Sequence, residues 1–90
     1  MPLNIDHARI AHDFKRGAVK VHADDGEKPI AYRISDGAIQ DHTHVRTADP
    51  AALIGLYLQH SGAFDAAADM KFTLHQLEPD GSILVRSLDV

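Results

Sequence analysis

Ninety residues suffice for one domain with a thin core and no more. The formal charge of −4 speaks against a nucleic-acid partner, because neutralising phosphates takes a basic surface. No run of about 18 apolar residues marks a membrane span, and the absence of cysteine removes disulfides and thiolate metal ligands. The opening residues lack the basic-then-apolar layout of a secretory signal, so the expected location is the cytoplasm.

Leu3 and Ile5 alternate and can open a short strand, while residues 6 to 13 are mixed and read as irregular. From Ala18 to Ala23 the alternation is clean: Val19 and Val21 face one way, Lys20 and His22 the other. Asp24-Asp25-Gly26-Glu27 has turn chemistry, with Gly26 free to take positive φ. Residues 29 to 34 form the return strand, with Ile30, Tyr32 and Ile34 on one face. Together these make a hairpin. Pro29 belongs at the first strand position or on an edge, since it has no N–H to donate.

Ser35 then reads as a helix N-cap, with Asp36 suited to the positive end of the helix dipole. The helix is short, about residues 36 to 43, and Ile39 is its main apolar residue. Asp49-Pro50 signals a second helix start, since proline fits the first helical position. Leu53, Tyr57, His60, Phe64 and Leu74 follow in a helical period, so a helix is expected from 50 to 76, interrupted only by Ser61-Gly62. Pro79-Asp80-Gly81 ends it, and residues 82 to 90 read as a last strand. That strand is apolar on both faces, which points to a central strand or one covered on both sides. The expected fold is one α+β domain spanning 1–90. It has two layers: a small antiparallel sheet, hairpin plus C-terminal strand, packed against a short helix and a long helix.

Few residues carry a chemical pattern. His42 and His44 are candidate metal ligands, but imidazoles two apart share a face only in an extended segment, and here they close a helix. No third ligand stands at a recognisable spacing. His60-Ser61 lacks the glycine-flanked nucleophile elbow. The acids, mostly aspartates, fall in turns and caps with no paired-carboxylate spacing. Asp24-Asp25-Gly26 is too short for a calcium loop, and there is no glycine-rich phosphate loop. The sequence therefore names no catalytic residue and no cofactor. An enzyme reading would need a pocket holding a perturbed titratable group.

The order of pieces is familiar. Residues 14 to 42, FKRGAVKVHADDGEKPIAYRISDGAIQDH, resemble the opening of the bacterial domain-of-unknown-function family 1488. The likeness continues through Tyr57, His60, Phe64, Ala68, Lys71-Phe72, Asp80-Gly81 and Ile83-Leu84-Val85 to Asp89-Val90. Gly62 departs from it, standing where the family has a better helix former. The resemblance implies a small cytoplasmic bacterial α+β domain and implies no catalytic residues.

One mismatch of lengths bears on function. A helix from 50 to 76 would be about 40 Å long, and a strand of this hairpin only about 20 Å. Either Ser61-Gly62 bends the helix, or the surplus apolar face needs a partner, and the partner is the favoured reading. The expectation is a non-enzymatic interaction domain, a homodimer or an accessory to another protein, with Tyr57, Phe64 and Met70 as interface candidates. The alternative is a small-ligand or metal-binding domain using His42, His44 or another histidine.

Overall fold

The computed structural model describes residues 3–90. Strands β1 (Asn4–Asp13), β2 (Ala18–Asp24) and β3 (Pro29–Ser35) are followed by helices α1 (Asp36–Thr43), α2 (Pro50–Gln59) and α3 (Ser61–Thr73). A short strand β4 (Ile83–Val85) and a single 3₁₀ turn, Ser87–Asp89, close the chain. The sheet order is β1-β2-β3-β4. The fold class is α+β, as expected, with the helices packed against one face of the sheet.

The β2–β3 hairpin and α1 form as the sequence implies. Val19 pairs with Ile34 and Val21 with Tyr32, so the alternating apolar residues share the covered face. The turn closes with Gly26 at φ 93°. The Ser35 hydroxyl accepts from the Ala38 N–H at 3.0 Å, capping α1. Pro50 opens α2, although the Asp49 side chain makes no cap bond.

Four expectations are corrected. Residues 6 to 13 are not irregular: they continue β1, which pairs antiparallel with β2. Asp6 pairs with His22 and Ile10 with Val21, so His7, Ala8 and Arg9 bulge out between them. The bulge lets Ile5 and Ile10 meet the same face although they are five residues apart.

The long helix is two helices. His60, at φ −119° and ψ 21°, ends α2 and begins α3. Ser61 and Gly62, weak helix formers, follow it, and the 50-to-76 rod stops at Thr73. The length argument for a partner therefore loses its premise.

The last strand is three residues long and lies at the sheet edge, not the centre. It also runs parallel to β3, Tyr32 opposite Ile83 and Ile34 opposite Val85, so the sheet is mixed rather than antiparallel. The cause is the crossover: three helices carry the chain across the covered face and return it in the starting direction.

The core lies between sheet and helices. Val19, Val21, Tyr32, Ile34, Ile39, Leu53, Tyr57, Phe64, Ile83 and Val85 are fully buried there. No helix is long and apolar enough to cross a membrane among the described residues.

Candidate functional site

The most connected polar group of the interior is Asp65, in the second turn of α3. Its Oδ1 accepts from the Tyr57 hydroxyl at 2.7 Å and from the Tyr32 hydroxyl at 3.0 Å. Its Oδ2 lies 2.7 Å from His7 Nε2. Each donor comes from a different element: Tyr32 from β3, Tyr57 from the last turns of α2, His7 from the β1 bulge. The bulge is what aims His7 at the helices, since regular pairing would have carried β1 past them.

Burial, first of all, and the neighbouring Asp65 carboxylate push both phenols far above the usual tyrosine range. They therefore stay protonated and donate. A carboxylate can only accept, so the His7 hydrogen bond is donated from Nε2. The His7 side chain is 45% exposed and that of Asp65 only 15%. A carboxylate orienting an imidazole is the arrangement that general bases use. Here, however, surface clefts of about 530, 400, 450 and 140 Å³ are lined by other residues and not by His7, Asp65 or either tyrosine. What the cluster visibly does is fasten β1 and β3 to the junction of α2 and α3.

The residues singled out from the sequence are dispersed. Tyr57 and Phe64 are 0% exposed, with ring centroids 6.0 Å apart inside the chain's own core, so neither is available to a partner. Their burial corrects their candidacy as interface residues. Met70 is 64% exposed. His42 and His44 are not brought together: His44 caps α1 in the left-handed region at φ 59° and is exposed. His42 turns instead to Phe64 and to His60, whose ring lies edge-on at 5.5 Å. No group of three metal-ligating side chains forms among the described residues.

A second feature lies on α3. Its outward residues are Gly62, Ala63, Ala66, Met70 and Thr73, at helical spacing, continued by the exposed C-cap residue Leu74, and none is charged. The three charged residues of α3 all turn away from this stripe. Asp65 meets the tyrosines and His7, Lys71 Nζ pairs with Asp89 at 3.2 Å, and Asp69 has its Oδ1 buried. An exposed helix face ordinarily shows the reverse pattern. The sequence reading missed this because the period alone does not say which side of α3 faces the sheet.

No protein-family model matches the chain, and no curated protein does. A protein of unknown function from the DUF1488 family of Shewanella loihica PV-4, known from its crystal structure, superposes with a TM-score of 0.87. The alignment covers 93% of this chain and 91% of that one, at 13% identity. The chain has a DUF1488-type fold. The family resemblance read from residues 14 to 90 thus has a counterpart in three dimensions. At this identity it is a likeness of fold alone, and the neighbour's function is itself unknown.

Proposed function

We propose that this protein is a non-enzymatic interaction domain that pairs with a second copy of itself through the outer face of α3. The observation that carries the reading is the inverted polarity of that helix, with its charges turned in and Met70 and the C-cap residue Leu74 turned out, 64% and 57% exposed. Leaving two large apolar side chains in water forgoes roughly 1.5–3 kcal/mol for each that a partner could bury.

The pattern is also self-complementary. Small residues, Gly62, Ala63 and Ala66, occupy the first half of the stripe, and large ones, Met70 and Leu74, the second. Two such helices laid antiparallel about a two-fold axis set the large side chains of one copy over the small residues of the other. Light scattering at tens of micromolar is the test, and a strict monomer there removes the proposal.

A second reading is metal or small-ligand binding by surface histidines. It draws on the approach of the His42 and His60 rings, 5.5 Å apart, a spacing open to two imidazoles on one ion. Nickel titration read at the ring protons decides it: saturable shifts at both rings support it, and none at either ends it.

A further inference from the structure

The face of the sheet away from the helices carries a cleft of about 530 Å³ beside the loop that leads into β4. Its floor is apolar, from Ala18 of β2 and Leu84 of β4, and two guanidinium groups line it, Arg16 from the β1–β2 turn and Arg33 from β3. Arg33 donates Nη1 to the Ser82 hydroxyl at 3.2 Å, while its Nε is buried with no partner among the described residues. The Arg16 guanidinium approaches Asp13 through Nε, at 3.9 Å, and the Arg16 backbone N–H donates to Asp13 Oδ1 at 3.3 Å.

The acids around the cleft are largely engaged. Glu78 Oε1 accepts from Arg86 Nη2 at 2.8 Å. Asp80 Oδ1 accepts from the Ser82 hydroxyl at 2.6 Å and from its N–H at 3.0 Å. Those bonds first, then the charges of Arg33 and Arg16, hold the Asp80 carboxyl below its usual range. Both guanidinium groups are thus within electrostatic reach of Asp80, yet no ion pair closes between them among the described residues. Cationic donors are left in a cleft with a greasy floor.

We infer that this cleft binds a small monocarboxylate, its charged end between Arg16 and Arg33 and its apolar body on Ala18 and Leu84. A planar carboxylate accepts two parallel N–H bonds from a guanidinium fork. A phosphate dianion would bring a second negative charge against Asp80, so one charge fits better than two. The carboxylate has two sources with the same chemistry: a free short-chain acid, or the C-terminal carboxylate of a peptide with a small apolar last residue.

Amide NMR titration of the intact chain separates these outcomes, using isobutyrate, N-acetyl-alanyl-valine, the C-terminal amide of that peptide, and inorganic phosphate. The expected result is saturable shifts at Arg33 and Ser82 with one or both acids and none with the amide. Phosphate should bind roughly tenfold or more weakly. The tighter of the two acids identifies the source. Arg16→Gln, at a side chain 54% exposed on a turn, should leave the remaining spectrum intact and weaken binding by roughly tenfold or more. No saturable shift at millimolar acid would leave the Arg33–Ser82–Asp80 chain as a tie between strand and loop and overturn the inference. Equal binding of the amide or of phosphate, or an Arg16→Gln variant that binds as before, would overturn it too.

Discussion

Tyr57, near the end of α2, donates its hydroxyl to Oδ1 of Asp65 in α3 at 2.7 Å, across the break at His60. In one straight helix the two residues would stand about 12 Å apart along the axis. The contact therefore depends on the chain turning at His60. The break lets α2 and α3 both deliver an aromatic ring to the same core, and Asp65 fastens the joint.

Removing that acceptor is expected to be costly. Asp65→Ala strands two buried phenol donors and the His7 N–H, and should cost about 3 kcal/mol, whereas Asp65→Asn keeps a carbonyl acceptor and should cost less. Urea unfolding at neutral pH measures both. Equal, small effects would show that the cluster carries little of the stability.

The same network sets an alkaline limit. Tyr32 and Tyr57 have pKa values raised well above the ordinary 10.0 in the folded chain. A raised folded-state pKa gives stability that is fully present below pH 10 and is lost as pH rises beyond it, because the unfolded chain ionises first. Above that point each phenol should remove roughly 1.4 kcal/mol per pH unit. Urea midpoints collected from pH 9 upward test this. Tyr32→Phe should lessen the slope by one phenol's share, and an unchanged slope would contradict the assignment.

Gly55 stands in the middle of α2, outside the left-handed region, with nothing within 4 Å of the place a Cβ would occupy. Gly55→Ala should therefore stabilise the chain by roughly 0.5–1 kcal/mol, mainly by restricting the unfolded state. A thermal melt should show the midpoint rising by a few degrees. A fall would mean that α2 tolerates no added methyl group.

Two substitutions on α3 should behave in opposite ways. Phe64→Asp places a charge in a fully buried site and should unfold the chain, since the loss of about 3–5 kcal/mol from the ring alone takes much of a small domain's stability. Met70→Lys changes an exposed position and should leave the melting temperature of the monomer nearly unchanged while abolishing self-association. Circular dichroism and light scattering on both variants separate folding from pairing. A Met70→Lys protein that still dimerises would move the interface elsewhere.

Much of the frame was legible in the chain. The alternation of Val19 and Val21 against Ile30, Tyr32 and Ile34, the Asp24-to-Gly26 turn and the Ser35 cap are local signals, and each formed as read. The β1 bulge was not legible, because Ile5 and Ile10 are five apart and a two-residue period rejects them until three residues are looped out. Asp65 left only a faint trace, an acid beside Phe64 in an alanine-rich helix. His7 left none, since its aim comes from the bulge.

Sequence by itself determined the hairpin, the capped first helix, the proline-led second one and the α+β class, because caps, turns and face alternation are settled by neighbours along the chain. Ser61-Gly62 already marked the place of the helical break, but tertiary structure alone decided that the chain turns there into two helices, that β4 returns parallel at the edge, and that α3 turns its charges inward and Met70 outward. Those outcomes depend on which surfaces meet across the core, and no residue's immediate neighbours encode that.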